Sequence, residues 1–177
     1  AKMFEKTTGI NQRRVAPNNV TCSDLCFKAA TELLKDMDCR EEIDLLLFVS
    51  QSADYFLPAT AAILQDKLGI PTNCMAFDVN LGCSGYVYGL MLANQYLQNG
   101  SVKKALLLAG DKSTISTHIQ DKTAYPLFGD AGTATLLEYD ENSIDWFFDA
   151  GTDGSGAKAI MIEAGHSRMP YQSFVDE

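Results

Sequence analysis

Two stretches of almost unbroken apolar residues, Ile43–Val49 and Lys104–Ala109, set the frame of the chain. Neither alternates, and a strand without alternation is one covered on both faces, as in a buried and mostly parallel sheet. A shorter strand is expected at Met75–Asp78. Between these runs the apolar period changes to that of helices. Thr21 or Ser23 can cap a helix reaching about Met37, with Leu25, Cys26, Ala29, Ala30, Leu33 and Leu34 on one side. A loop with Pro58 leads into a second helix through Leu68, stopped by Gly69-Ile70-Pro71. A third runs from Cys83 to Gln98 and closes at Asn99-Gly100. In it Gly85, Gly89 and Ala93 recur every fourth residue and form one smooth stripe. Tyr86, Val87, Tyr88, Leu90, Met91 and Leu92 cover much of the rest, as in a helix buried all round. Each glycine costs about 1 kcal/mol of helix stability relative to alanine, so the stripe implies close approach by another backbone. After a polar loop reaching about Lys122, Thr133–Glu138 and Ile144–Ala150 read as antiparallel or edge strands joined across Asp140-Glu141-Asn142. The tail from Gly151 to Glu177 reads as loop with one short strand at Ala159–Ile162. Helices alternating with buried strands define an α/β layered domain.

Composition narrows the function classes. The 177 residues carry a formal charge of −9, with a pI near 4.6, which argues against a nucleic-acid binder. No apolar run approaches the roughly 20 residues of a membrane-spanning helix, and the first residues lack the apolar core of a secretory signal. Cys22, Cys26, Cys39, Cys74 and Cys83 are an odd set, read as free thiols in a reducing, cytoplasmic setting. Cys22 and Cys26, four apart on one helix face without a second ligand pair, read as small buried hydrophobes rather than metal ligands. His118 and His166 read as surface or loop histidines. No metal site is expected.

The junction Phe77-Asp78-Val79-Asn80-Leu81-Gly82-Cys83-Ser84-Gly85 carries the chemistry. A cysteine between a short strand and a helix meets the positive end of that helix, which favours a reactive thiolate. Free N–H groups there can hold an oxyanion on a thioester carbonyl. Gly82, Ser84 and Gly85 leave room for a substrate. Spacing alone leaves open whether Cys83 is a nucleophile or a buried, alanine-like residue.

The stretch from Ala76 to Leu90 resembles the nucleophile segment of beta-ketoacyl-acyl-carrier-protein synthase III, a condensing-enzyme family of the thiolase superfamily. Leu127-Phe128-Gly129-Asp130-Ala131-Gly132-Thr133-Ala134 is similar to its Phe-Gly-Asp-Gly-Ala-Gly signature. Thr8-Gly9-Ile10 with Arg13-Arg14 matches its Thr-Gly-Ile-x-x-Arg segment, and Gly165-His166-Ser167-Arg168-Met169-Pro170 resembles its Gly-Gly-Ser-Arg-x-Pro loop. The resemblance implies two similar halves, each a mixed five-stranded sheet layered with helices around a buried nucleophile helix. Residues 1–177 would be a single N-terminal domain, without the opening strand and helix, and the glycine stripe would meet the matching helix of the other half.

The implied reaction is a Claisen condensation of the kind that initiates fatty-acid synthesis. Cys83 takes an acyl group from acyl-CoA or acyl-carrier protein, and malonyl-acyl carrier protein supplies the attacking carbanion. Thioesters are the substrates and no cofactor is implied. The family's catalytic histidine and asparagine have no counterpart here, so the chain alone is expected to acylate slowly and not to condense. Thr7 replaces the arginine that precedes Thr-Gly-Ile in acetyl-CoA users. Lys122 stands near the place of another nucleotide-contacting arginine, which leaves room for a carrier-protein donor. Leu57 sits where the family places a residue crossing into the neighbour's acyl pocket, which implies a homodimer. Other readings are an acyl-cysteine synthase of another pathway (hydroxymethylglutaryl-CoA synthase-like, or forming an ester or amide), a non-catalytic partner subunit, and a stand-alone binding module. Retention of Cys83 in Gly-Cys-Ser-Gly argues against the partner subunit.

Overall fold

Every side chain of Ile43–Val49 except Asp44 is buried, because this strand, β1, has neighbours on both edges and helices on both faces. The computed structural model describes residues 2–98 and 100–170. Within them β1, β2 (Met75–Val79), β3 (Lys104–Lys112) and β4 (Asp130–Glu138) form one sheet in the order β2-β1-β3-β4. β1 is parallel to β2 and β3, and β4 is antiparallel to β3. The helices are α1 (Lys2–Thr8), α2 (Cys22–Leu33), α3 (Thr60–Lys67) and α4 (Gly85–Gln98).

The alternation of side chains along β1 and β3 splits the core into two layers. Leu46, Phe48, Leu106 and Leu108 face Cys26 and Ala30 of α2 and Ala61 and Leu64 of α3. Leu45, Leu47, Val49, Leu107 and Ala109 face Ala93 and Leu97 of α4. The result is the expected mixed α/β layering, with α2 and α3 on one face and α4 on the other. The sheet has four strands among the described residues, where the resemblance implies five.

Local chemistry fixes the helix ends. Thr21 caps α2 through a reciprocal pair with Asp24: the Asp24 N–H donates to Thr21 Oγ1 (3.2 Å) and the Thr21 N–H to Asp24 Oδ2 (3.1 Å). α3 has no capping side chain of its own. Asp78 of β2 supplies one, accepting from the Thr60 and Ala61 N–H groups at 2.8 and 2.7 Å. Residue patterning does not predict α1. It stops at Thr8 because Gly9 takes φ +73° and returns its N–H to Glu5 O.

Several expectations need correction. α2 ends at Leu33 rather than near Met37. The chain tightens into Lys35-to-Glu32 and Met37-to-Leu34 turns, since Met37 is exposed and no apolar face continues the helix. Asn99 lies outside the described residues, but Gly100 does close α4, with φ +71° and its N–H on Leu97 O. β3 runs three residues past Ala109, and β4 starts at Asp130 rather than Thr133. Ile144–Ala150 is not a strand. Among the described residues it joins no sheet, and Ile144 and Phe147 are 83% and 93% exposed. Ala159–Ile162 is not one either and holds only bends.

The chain divides into two compact units, Ala1–Trp146 and Phe147–Glu177. In the second, Asp153 caps a 3-10 turn at Gly154–Gly156 by accepting from Ser155 N (2.9 Å) and Oγ (2.6 Å). The Gly165–Pro170 motif closes on itself, Gly165 N–H donating to Met169 O and Met169 N–H to His166 O. The last seven residues of the expected tail lie outside the described ones.

Candidate active site

The turn between β2 and α4 presents Cys83. Leu81 N–H bonds back to Val79 O, Gly85 N–H to Gly82 O and Tyr88 N–H to Ser84 O, so the helical ladder opens directly after the cysteine. The first turn of any helix leaves N–H groups without helical acceptors and a partial positive charge at its mouth. Of the five thiols, Cys83 alone is exposed. Burial, with the nearby Asp44 carboxylate, pushes Cys74 up to about 11. Cys26 is held well above the ordinary thiol range by its hydrogen bond with Cys22 and by burial. Cys22 and Cys26 are both buried, as expected; the hydrogen bond with Cys26, helped by Ser50, holds Cys22 below the ordinary thiol range against its burial.

Cys83 lines a pocket of about 550 Å³ at the carboxyl ends of β1 and β3, where open α/β sheets commonly bind ligands. Val49, Leu81 and Ala109 give it an apolar floor, and Tyr86, Asp111, Thr133 and Thr135 give it polar edges. Tyr86 Oη lies 3.1 Å from Thr135 Oγ1, linking α4 to β4 across the pocket.

The glycine stripe of α4 has a different partner from the one expected. A methyl group at Gly85 would stand 2.7 Å from Val49 Cγ1, and one at Gly89 would stand 2.7 Å from Leu107 Cδ1. The stripe therefore presses α4 onto its own sheet, not onto a second helix. On the opposite side Tyr86 and Val87 are exposed within these residues. Close seating of α4 on β1 and β3 is what brings Cys83 to the strand ends.

Two of the remaining motifs interlock. Asp130 N–H donates to Arg14 O (2.8 Å), and Arg13 reaches Phe128 O (3.0 Å) while its guanidinium lies 4.0 Å from the Tyr125 ring centre. Lys112, 6% exposed, donates to the carbonyls of Pro17, Asn18 and Val20. The Thr-Gly-Ile and Phe-Gly-Asp segments are thus one scaffold behind the pocket. Leu57 is 80% exposed in the loop before α3, and Lys122 is exposed in the turn before β4. Neither lines the Cys83 pocket. His118 is exposed, its Nδ1 accepting from Gln120 N–H (3.3 Å), and His166 belongs to the second unit. Among the described residues no group of three or more His, Cys, Asp or Glu could hold a metal, and no helix is long and apolar enough to cross a membrane. Asp111, Gln51 and the Tyr86–Thr135 pair were missed by sequence reasoning. The one available signal was a carboxylate two residues past a buried apolar run.

A mixed sheet between helical layers, with a cysteine at the mouth of a helix pressed onto that sheet, is a thiolase-like α/β architecture. Residues 77–156 match the family model for 3-oxoacyl-[acyl-carrier-protein (ACP)] synthase III. The beta-ketoacyl-[acyl-carrier-protein] synthase III of Oceanobacillus iheyensis is 37% identical over 157 residues, 88% of this chain and 50% of that protein. A 2.1 Å crystal structure of a 3-oxoacyl-(acyl-carrier-protein) synthase III superposes with a TM-score of 0.92 at 39% identity, over 96% of this chain and 51% of the other. A 3-oxoacyl-(acyl-carrier protein) synthase from Burkholderia xenovorans gives 0.86 at 39% identity, over 99% and 50%. The chain belongs to the beta-ketoacyl-acyl-carrier-protein synthase III family, and it spans about half the length of the curated relatives it matches.

Proposed function

We propose that the protein is an acyl-thioester condensing enzyme of the type that initiates fatty-acid synthesis, with Cys83 as its acyl carrier. The observation that supports this most is the exposure of Cys83 at the mouth of α4, beside a pocket of about 550 Å³. The Cys83 thiolate attacks the thioester carbonyl, the carbonyl electrons move to oxygen, and their return expels the donor thiolate. Malonyl-acyl carrier protein then loses carbon dioxide. The electron pair of the broken C–C bond becomes a carbanion and attacks the acyl-cysteine carbonyl. The carbon–sulfur bond breaks, which frees Cys83 and leaves a beta-ketoacyl thioester.

In this reading residues 1–177 form one of two similar halves, and the other supplies the histidine and asparagine that stabilise the carbanion step. The 177 residues alone are expected to acylate but not to condense. The reaction uses no cofactor beyond its thioester substrates, and the five free thiols suit a reducing cytoplasm. Thr7 in place of a nucleotide-binding arginine, together with a Lys122 that does not line the pocket, favours acyl-carrier protein over CoA as donor. Leu57 stands with Tyr55 and Phe56 in an exposed apolar segment, the three being 64–80% exposed. We assign that segment to a homodimer interface.

The test is turnover of the complete gene product with malonyl-acyl carrier protein and a panel of acyl-CoA and acyl-carrier-protein donors. A beta-ketoacyl product identified by mass spectrometry, faster with carrier-protein donors, is expected. Acyl transfer to Cys83 with no carbon–carbon bond formation would move the protein to the ester- or amide-forming class.

A further inference from the structure

A chain of contacts runs from the end of β3 to the nucleophile turn. Asp111, one residue before the end of β3, accepts three hydrogen bonds on Oδ1: from Gln51 N–H (2.7 Å), Ser50 Oγ (3.1 Å) and Ser52 Oγ (3.1 Å). The Lys112 N–H adds a bond to Ser52 Oγ (3.1 Å), and the Ser52 N–H closes onto Ser50 Oγ (2.9 Å). An ionised acceptor with several donors makes strong, geometrically defined bonds. The loop leaving β1 is therefore clamped to the end of β3 at residue 51. From that clamp the Gln51 side chain reaches Gly82, where a methyl group would overlap its Oε1 and lie 3.1 Å from its Cδ. Gly82 precedes Cys83 in a turn with few hydrogen bonds of its own, and the Gln51 amide fills the space that a side chain at 82 would take.

We propose that Asp111 and Gln51 are positioning residues for Cys83, Asp111 as the anchor and Gln51 as the arm that holds the Leu81-Gly82-Cys83 turn. Asp111 also lines the pocket, yet its Oδ1 is committed to the clamp, which makes the carboxylate a fixed support. The inference rests on Cys83 being the acylated residue. Neither side chain needs to bind the donor, so the loss falls on the rate constant for acyl transfer and not on the donor concentration at half rate. Small displacements of a reacting atom are costly: about 1 Å can cost a hundredfold.

The experiment compares Gln51→Ala, Asp111→Ala and Asp111→Asn in the complete gene product. Three readouts are taken: amide hydrogen exchange in the peptide covering residues 79–85, kcat and KM for acyl transfer, and Tm. Gln51→Ala removes only an exposed side chain, so its folding is not at issue. It is expected to speed exchange in that peptide and to lower kcat, each about tenfold, with KM and Tm unchanged. Asp111→Ala is expected to speed exchange and lower kcat in the same way and, because it strands three donors, to lower Tm as well; Asp111→Asn, which keeps the acceptor oxygen, is expected to recover most of both losses. Wild-type exchange in Gln51→Ala overturns the proposal, whatever happens to kcat. Faster exchange with wild-type kcat overturns it too, since the turn would then move without consequence. If the wild type takes up no acyl group while Gln51→Ala still loosens residues 79–85, the reading of Cys83 fails and the mechanical contact stands.

Discussion

Asp130 opens β4 with 8% of its surface exposed, and three donors converge on its carboxylate. Ala16 N–H and Thr114 Oγ1 reach Oδ2 at 2.8 and 2.7 Å, and Thr114 N–H reaches Oδ1 at 3.0 Å. Burial works against the charge, but the Thr114 hydroxyl, the two amides and the Lys112 charge outweigh it and hold the carboxyl below its usual range. A depressed folded-state pKa adds stability that is present above the unfolded value of about 3.9 and is lost as pH falls through the folded value. Asp130→Ala, which strands those part-buried donors, is expected to cost about 3 kcal/mol in urea unfolding at pH 7. The gap between wild type and Asp130→Asn should close as pH is lowered below about 4; a gap that persists at pH 2 would mean the charge is not what stabilises the site. Residues of this kind are only partly legible in sequence. Cys83 could be read because small residues and a strand-to-helix junction surround it. Asp111 could not, because its partners at residues 50–52 lie about sixty positions away and a polar residue ending a strand is ordinary.

Among elements, glycines decide how closely helices seat on the sheet, and two of them separate the possibilities. A methyl group at Gly132 would stand 2.6 Å from the Leu25 carbonyl carbon and 2.7 Å from Leu25 Cβ, within the α2 backbone. At Gly89 the obstacles are the ends of Leu107 and Val49 side chains, which can turn aside, and alanine recovers about 1 kcal/mol of helix propensity. Gly132→Ala is therefore expected to lose about 3 kcal/mol and Gly89→Ala about 1 kcal/mol or less. Equal costs in thermal or urea unfolding would contradict this seating of α2. Apolar runs made β1, β2 and β3 legible, and so did the Thr21 cap, because burial and capping leave local signatures. The facing of α4 did not show, since apolar residues around most of its circumference leave no sequence mark of which side meets the sheet. Ile144–Ala150 misled for a related reason: an apolar pattern reports a preference for strand, whereas a strand also needs an edge to bond with.

For the whole molecule, the layered α/β sheet and the place of Cys83 at the strand ends follow from those buried runs and glycine seats. Assembly is tested by Leu57→Glu, which puts a charge in the exposed Tyr55–Leu57 segment. Sedimentation of the complete gene product is expected to shift from dimer to monomer at micromolar concentration, while an unchanged dimer would place the interface elsewhere. The central claim is that Cys83 carries the acyl group, and it is met most directly by the intact mass of the complete gene product after incubation with acyl-CoA and acyl-carrier-protein donors, with Cys83→Ala beside it. The account predicts a mass gain of one acyl group in the wild type and none in the variant. No gain with any donor, or an equal gain in Cys83→Ala, would contradict it.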